Sequence, residues 1–281
     1  MIHTSRQLKA LIRNRSNGDN AKAVTLIRNY VMERFLERMS LSEYKDKLIL
    51  KGGLLVASMV GVDNRATMDI DTTIRNYNLS AEDARKMIED IISVSLEDEV
   101  KFTIKSVESI MDEAEYPGIR LKLEAVLDTM RTPLKIDIST DDVITPKEVN
   151  YAYKLMFEER TIPLLAYNLE TVLAEKMETV ISRGVLNTRM RDYYDLAVLN
   201  IVKSESISDS DLRKALEATS RKRGSHELMA DWEHILRQIR DDVGLMKQWE
   251  RYQRKYDYAA DYGWEDVVAN VEKLFERMMI C

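Results

Sequence analysis

Apolar residues near the start of the chain recur at the spacing of helices. Residues 21–39 carry them three and four positions apart, with arginine and glutamate between them. A second such stretch covers residues 80–95, where Ser80 can cap the first turn and Asp83 follows three positions later. We expect two helices, the first of them amphipathic. Its apolar face would carry Val24, Ile27, Val31 and Phe35.

Between about residues 100 and 139 the apolar period falls to two, which is typical of strands. Two of the segments, GIRLKLEAVLD and PLKIDIST, place every second residue on an apolar face, and Lys135 and Asp137 lie on the opposite face of the second. The apolar positions are Ile119, Leu121, Leu123, Leu134, Ile136 and Ile138. We therefore predict an α+β fold, in which a mixed sheet with flanking helices over residues 1–163 is followed by a helical domain over residues 164–281.

A pair of glycines, Gly52 and Gly53, separates an apolar run from a helix-like segment in LILKGGLLVASMV. This order predicts strand, turn and helix. Backbone N–H groups at such a turn can bind phosphate, and Lys51 and Arg65 add cations nearby in the sequence. A simple tight turn is the alternative interpretation of the pair.

Two aspartates, Asp69 and Asp71, alternate with apolar residues in MDIDTTI. On a strand they would project from one face, where two carboxylates repel each other but can bind a divalent cation. Asp137 adds a third carboxylate on the polar face of its own strand. Acids of this kind also occur on ordinary solvated strand faces. Beside a glycine turn, however, three of them indicate metal-assisted phosphoryl transfer.

In the helical half, Lys176 falls in the middle of an apolar stripe. Its ammonium either reaches back to water along the helix surface or extends into a cleft to contact phosphate. Asp192 and Asp195 lie three positions apart on a helix that is apolar on nearly every side, so each needs a basic partner. Lys176, Arg183 and Arg191 are the candidates. A purely structural ion-pair network is the alternative.

Composition narrows these interpretations. The chain has 281 residues, of which 45% are hydrophobic, and only 9 glycines and 4 prolines, which favours long helices over a many-turned β-fold. The single cysteine is the terminal Cys281, and the three histidines are scattered, so a metal site would consist of carboxylates. No segment has the pattern of a signal peptide or membrane span, and we expect a cytoplasmic protein with no membrane partner. The net charge of -6 argues against extensive coating of nucleic acid.

Two sequence motifs resemble those of a known family. The first motif runs from Lys51 to Asp71 and consists of K-G-G, eleven further residues and R-A-T-M-D-I-D. It is similar to the opening motif of polymerase-β-like nucleotidyltransferases. The match is closer to the AbiEii/AbiGii toxins of abortive-infection and type IV toxin–antitoxin systems, whose usual form is K-G-G followed by R-x-[ST]-x-D-h-D-h, with h apolar. Thr72 departs from the last position. Downstream, Glu170–Lys176 and Arg191–Leu196 resemble the family's E-x5-K and R-D-x-x-D-[LI].

The resemblance implies roles for the residues already singled out. The two glycines, with Lys51 and Arg65, would hold a triphosphate. Asp69, Asp71 and Asp137 would bind magnesium, or manganese in its place. The helical domain would contribute Lys176 and Asp192 to the active site. The implied fold is the mixed sheet of the polymerase-β-like nucleotidyltransferases with a C-terminal helical domain.

The implied activity is transfer of nucleotides from a nucleoside triphosphate to an RNA acceptor, with release of pyrophosphate. As the toxin of a type IV toxin–antitoxin system in phage defence, the protein would modify a tRNA 3′ end and stop translation. Its antitoxin would act without a required stable complex. Two alternatives stay open: a non-catalytic module that binds nucleotide or protein on a degenerate transferase fold, and a metal-dependent phosphohydrolase, which the absence of a paired His-Asp motif weakens.

Two further segments have two interpretations each. SRKRGS, with its basic run from Arg221 to Arg223, would contact an RNA backbone or form a solvated turn at a helix end. WERYQRKYDYAADYGW, residues 249–264, interleaves aromatic rings with basic residues. These rings would stack on bases or pack in the core.

Overall fold

The computed structural model describes residues 2–75, 79–111 and 117–279. Cys281 therefore lies outside the described residues. The chain divides into two compact units. The first comprises residues 1–58, 66–142 and 149–166, and the second comprises residues 59–65, 143–148 and 167–281. Two short segments that precede residue 167, residues 59–65 and 143–148, thus belong to the second unit.

The first unit is built on a mixed seven-stranded sheet with flanking helices, as predicted. The strands are β1 (Leu48–Lys51), β2 (Asp69–Ile74), β3 (Lys101–Met111), β4 (Pro117–Leu127), β5 (Met130–Thr140), β6 (Val149–Lys154) and β7 (Thr161–Ala166), in the order β3-β4-β5-β2-β1-β7-β6. The β2–β5 and β1–β7 pairs are parallel, and the other neighbours are antiparallel. The helices that begin in this part of the chain are α1 (Ser5–Ser16), α2 (Asn20–Leu41), α3 (Gly52–Val60) and α4 (Ala81–Ser93).

The alternation of β4 and β5 sorts their side chains as predicted. All six predicted apolar positions, from Ile119 to Ile138, are buried, with exposed fractions of at most 6%. Helix α4 begins at the predicted cap, where Ser80 and Asp83 form a capping box. The local pattern is sufficient here because one face of each strand packs in the core while the other meets polar groups.

Helix α2 forms where predicted, but the prediction that it is amphipathic is wrong. Val24 is 56% exposed, whereas the whole stretch from Asn29 to Ser40 is buried, charged residues included. The helix packs against α1, α4 and the sheet strands β5 and β7, so its second half is covered on all sides. Its buried charges are compensated. Arg38, for example, donates two hydrogen bonds of 2.7 Å to the Asp98 carboxylate.

The second unit is helical, as predicted for the end of the chain. Its helices are α5 (Leu169–Arg183), α6 (Met190–Lys203), α7 (Asp209–Arg223), α8 (Trp232–Asp241), α9 (Val243–Lys255) and α10 (Trp264–Met279). Helix α5 packs on α6 and α7, and α10 packs on α6, α7 and α8. Over the described ranges, no helix combines the length and apolar character needed to cross a membrane.

Candidate active site

The glycine pair lies at a sharp turn between β1 and α3. Gly52 has φ +67°, in the left-handed region, and a Cβ at this position would collide with the Asp71 carboxylate. The backbone N–H of Gly53 donates to the same carboxylate. Only glycine at residue 52 therefore lets Asp71 approach the first turn of α3 this closely. The structure gives the pair this local function, and its role toward phosphate stays a prediction.

Asp69 and Asp71 occupy alternate positions of β2 and share a face, as predicted. The neighbouring parallel strand β5 brings Asp137 directly opposite Asp71, and Lys135 directly opposite Asp69. Residues that are distant in the sequence thus meet because β2 pairs with β5. Thr72, the departure from the family motif, is buried, and its hydroxyl donates to the Asp137 carbonyl at 3.3 Å.

Two basic side chains lie among these acids. Arg120 lies on β4, directly opposite Asp137 of β5. Its Nε and Nη2 donate to the two Asp137 carboxylate oxygens, both at 2.8 Å. Lys135 Nζ lies 2.8 Å from Asp69 Oδ2 and 3.7 Å from Asp137 Oδ2. We call Asp69, Asp71, Asp137, Arg120 and Lys135 the sheet cluster. Its three carboxylates and two cations leave one negative charge uncompensated.

The pKa of Asp71 is raised above its ordinary value. Desolvation raises the pKa of its carboxyl; nearby Lys51 opposes the rise, and Asp137 and Asp69 add to it. Among the described residues Asp71 forms no ion pair of its own, whereas Asp69 and Asp137 each have a basic partner. Burial and the two neighbouring carboxylates therefore disfavour the ionised form of Asp71.

The donor chemistry of the sheet cluster fits magnesium. Carboxylate oxygens are its preferred protein ligands, and Mg²⁺ usually takes one or two of them together with substrate phosphates and water. Asp69 and Asp71 supply such a pair, and a cation there would compensate the charge on Asp71. In the part of the chain that is described, no three acidic, histidine or cysteine side chains converge as a complete metal site. Asp137, predicted as a third ligand, accepts two bonds from Arg120, and its role toward a metal stays a prediction.

Lys51, at the end of β1, is anchored by residues that the sequence did not single out. Its ammonium pairs with Asp142, whose side chain is fully buried, and the Ser139 hydroxyl donates to the same carboxylate oxygen at 2.7 Å. Ser139 lies in β5, and Asp142 follows that strand closely. The available signal was a pair of acids, Asp141 and Asp142, directly after a predicted strand.

A second charged cluster lies within the helical unit. Lys176 Nζ of α5 is 2.8 Å from Asp195 Oδ2 and 3.0 Å from Asp192 Oδ1, both on α6. Arg65 donates to Asp195 through Nε at 2.7 Å and Nη2 at 3.1 Å. We call these four residues the helix cluster. Two cations and two carboxylates balance, as the burial of the group requires.

The charges of the helix cluster stabilise one another. Although burial alone would raise it, Arg65 and Lys176 hold the pKa of Asp195 down, at about 2. Burial opposes the charge on Lys176, but Asp195 and Asp192 raise the pKa of its ammonium above the ordinary value. Lys176 is thus a paired cation and does not extend along the helix surface to water. Arg65, predicted to bind phosphate, has two of its donor groups engaged by Asp195.

One oxygen of this cluster accepts no hydrogen bond within the part of the chain that the structure describes. Asp192 Oδ2 is buried and accepts no hydrogen bond from any described residue. Glu170, which precedes Lys176 in the E-x5-K motif, has a structural contact: it accepts a bond of 2.9 Å from the Ser208 backbone N–H, at the start of α7. The basic run of SRKRGS is also partly structural, because Arg223 is paired with Glu178 at 2.6 Å and both are nearly buried.

A family model describing the nucleotidyl transferase AbiEii toxin of type IV toxin–antitoxin systems matches residues 34–270. The match includes every residue of the sheet and helix clusters. A search of curated proteins finds no match to the chain.

Solved structures give weaker similarities. A candidate nucleotidyltransferase from Helicobacter pylori is 14% identical over 91% of this chain and 96% of its own, with a TM-score of 0.48. The protein JHP933 from the same species is 13% identical over 91% and 93%, also at 0.48. An antigenic nucleotidyltransferase-like protein from Paracoccidioides brasiliensis is 15% identical over 82% and 94%, at 0.37. Similarities at this level leave the functional argument to the family match and to the geometry.

Proposed function

Because the chain belongs to the AbiEii family of nucleotidyltransferase toxins of type IV toxin–antitoxin systems, we propose that it transfers nucleotides from a nucleoside triphosphate to an RNA 3′ end. The observation that carries the proposal is the pair Asp69 and Asp71 on one face of β2, beside the glycine turn that seats Asp71. The preferred acceptor is a tRNA, whose modification in the cytoplasm would stop translation.

Asp69 and Asp71 would hold magnesium, or manganese in its place. When bound, the metal neutralises phosphate charge and favours departure of pyrophosphate. Lys135, whose ammonium lies 2.8 Å from Asp69, would supply a cation for a phosphate oxygen beside the metal ligands, while Arg120 keeps Asp137 in place.

Lys51 and the glycine turn would bind the triphosphate. The ion pair with the buried Asp142 holds the Lys51 ammonium in position. A phosphate would therefore bind to a cation that is already oriented. Backbone N–H groups at the start of α3 add donors, and the helix N-terminus favours negative charge.

In the helix cluster, Lys176 would contact substrate phosphate and Asp192 would contact a substrate hydroxyl. Lys176 stays charged because Asp195 and Asp192 hold its proton. Asp192 Oδ2, buried without a hydrogen-bond donor among the described residues, is suited to accept the proton of a ribose hydroxyl. Arg65 and Asp195 would act as positioning residues, since both contact Lys176 or its partner and are almost fully buried.

The test is transfer of label to RNA. The full chain is incubated with total RNA, magnesium and each of the four α-labelled triphosphates in turn, and RNA and pyrophosphate are measured. We expect label at RNA 3′ ends with at least one triphosphate. Asp71→Asn should reduce the rate by at least about 100-fold, since loss of a direct metal ligand should cost more than loss of a supporting contact. The matched Asp46→Asn, at an exposed position of the same unit, should not.

A second candidate is a non-catalytic nucleotide-binding module. The observation in its favour is that Arg120 and Lys135 already neutralise two of the three acids of the sheet cluster. Magnesium-dependent triphosphate binding without any transfer, beside a working control transferase, would support this candidate and refute the enzyme. Release of free phosphate in place of pyrophosphate would indicate a phosphohydrolase.

Membership of a toxin family also predicts an effect on cell growth. Expression of the chain should arrest growth, and Asp71→Asn should not. The cognate antitoxin should relieve the arrest without forming a stable complex with the chain. Copurification of the two proteins at equal amounts would contradict that part of the proposal.

A further inference from the structure

The aromatic segment that follows α9 divides into a buried and a half-buried part. Trp249, Tyr252 and Trp264 are buried, at no more than 8% exposure, which confirms the core interpretation for them. Tyr256 and Tyr258, on the short turn after the helix, are only half-buried. Their rings are stacked, with centroids 5.3 Å apart and planes 24° apart. A near-parallel tyrosine pair therefore reaches the surface from an aromatic core.

The core holds this pair in place. The Tyr252 and Tyr258 hydroxyls lie 3.0 Å apart, and the Tyr194 ring lies 4.9 Å from that of Tyr258. Tyr194 in turn donates to the Asn64 carbonyl at 2.6 Å. Asn64 immediately precedes Arg65, which pairs with Asp195 of the helix cluster. The tyrosine pair is thus connected to the helix cluster by direct contacts within one unit.

Cations surround the pair. Arg191 donates from Nη2 to the Tyr256 hydroxyl at 3.0 Å, and its guanidinium carbon lies 5.7 Å from the ring centroid. Lys255 Nζ lies 5.4 Å from the same centroid. Among the described residues neither Arg191 nor Lys255 pairs with a carboxylate, nor does the neighbouring Arg254. Within this described region, Arg191 and Lys255 are therefore cations in contact with the tyrosine pair and not held in an ion pair.

We propose that Tyr256, Tyr258 and Arg191, here called the tyrosine platform, bind a nucleobase and its adjoining phosphate. This inference rests on the proposed function and names how its helical unit would recognise nucleotide. Stacked tyrosines accept any base because every base has an aromatic face, and an unneutralised guanidinium binds phosphate. Arg191 directly precedes Asp192 on α6. The base would therefore lie close to Asp192, the residue of the helix cluster that is proposed to contact a ribose hydroxyl.

The nucleobase has two sources, the incoming triphosphate and the 3′ end of the RNA. Two fluorescent probes distinguish them: 2-aminopurine riboside triphosphate, and a single-stranded RNA of twelve nucleotides ending in 2-aminopurine. Each has a matched abasic competitor. We expect stacking on the platform to quench the fluorescence of one probe, and the abasic competitor to displace it weakly. The probe that is quenched identifies the source.

Substitutions at the platform test its chemistry. Tyr256→Leu should weaken binding of the quenched probe by about 5- to 100-fold, the range of one base stacked on an aromatic ring. Tyr256→Phe retains the ring and should keep most of the affinity. Arg191→Gln should weaken binding and reduce its salt dependence by about one unit of slope. The controls are Tyr262→Leu, a half-buried ring outside the platform, and Arg237→Gln, an exposed arginine of α8.

Equal binding of base-containing and abasic probes by the unsubstituted protein would overturn the inference. So would wild-type affinity in a folded Tyr256→Leu variant. Should that variant not fold, the abasic competition still decides. Label transfer that is unchanged by Tyr256→Leu, with unchanged probe binding, refutes the platform and leaves the proposed function intact. Base-dependent binding without any transfer refutes the proposed function and leaves the platform as a nucleotide-binding site.

Discussion

The sheet cluster and the helix cluster use the same residue types in opposite ways. Lys135 and Asp69 of the sheet cluster are 29% and 32% exposed, whereas Lys176 and Asp195 of the helix cluster are 13% and 0% exposed. The sheet cluster has one carboxylate more than its cations compensate. In the helix cluster the charges balance. Burial, with a smaller contribution from Asp137 and Asp69, raises the pKa of Asp71, whereas Arg65 and Lys176 overcome the effect of burial and lower the pKa of Asp195.

The difference shows how fold and function can divide between two sets of ion pairs. A balanced buried cluster stabilises its surroundings only as a whole, because removal of one member leaves an uncompensated charge. A cluster with an excess acid is instead incomplete without a cation. We therefore expect substitutions in the helix cluster to change stability first, and substitutions in the sheet cluster to change metal binding and activity first.

The largest stability effect should follow from Asp195→Asn. The substitution leaves Arg65 and Lys176 buried with only Asp192 to compensate them, at a cost of about 3–5 kcal/mol. All three tryptophans, Trp232, Trp249 and Trp264, lie in the helical unit, so urea unfolding followed by tryptophan fluorescence reports this unit. Glu217→Gln, which breaks the exposed pair with Arg221, is the control and should cost less than about 1 kcal/mol. A comparable loss of unfolding free energy in both variants would contradict the expected difference between a buried charge cluster and an exposed ion pair.

Lowering the pH should separate the clusters by the sign of their effect. The folded-state pKa of Asp195 is depressed, so its contribution to stability is present above about pH 4 and is lost as the pH falls toward 2. The folded-state pKa of Asp71 is raised, so its ionisation costs stability at neutral pH, and that cost disappears as the carboxyl becomes protonated at lower pH.

The measurement is calorimetric unfolding as a function of pH. Relative to wild type, Asp195→Asn should have a flatter acid limb below pH 4, and Asp71→Asn should be more stable at neutral pH but not near pH 3. An Asp71→Asn variant that is less stable than wild type at neutral pH would show that the excess charge is compensated by other means.

Magnesium should give the smallest of these effects and act on one cluster only. A ligand that binds the folded state at ten times its Kd stabilises it by about 1.4 kcal/mol. We expect this rise in the wild type and in Asp195→Asn, but not in Asp71→Asn. Isothermal titration with magnesium alone provides an independent readout. Stabilisation of Asp71→Asn equal to that of the wild type would place the metal elsewhere.

Much of the fold could be predicted from local pattern. Period-two alternation correctly assigned the faces of β4 and β5, and the capping residues Ser80 and Asp83 correctly marked the start of α4. The amphipathic prediction for α2 failed, because pattern reports which side of a helix is apolar and not how many neighbours will cover it. Its buried charges are stable only through partners such as Asp98, which is sixty positions away in the chain from Arg38.

For the candidate site, local sequence pattern was enough to predict the chemical groups and their local geometry: two aspartates on one strand face, two glycines at a turn, and a lysine and two aspartates on helices. The family motifs identified the same residues. These are properties of neighbouring positions, where strand and helix periods decide which side chains share a face.

The partners of those groups depend on how strands and helices pack against one another. Pairing of β2 with β5 and of β5 with β4 brings Arg120 and Lys135 among the acids, and packing of α5 on α6 pairs Lys176 with Asp192 and Asp195. Arg65 could not be assigned to Asp195 from the sequence, because 130 positions separate them. The physical reason is that the charge state and freedom of an ionisable group depend on burial and on distances between elements, which local periodicity does not contain.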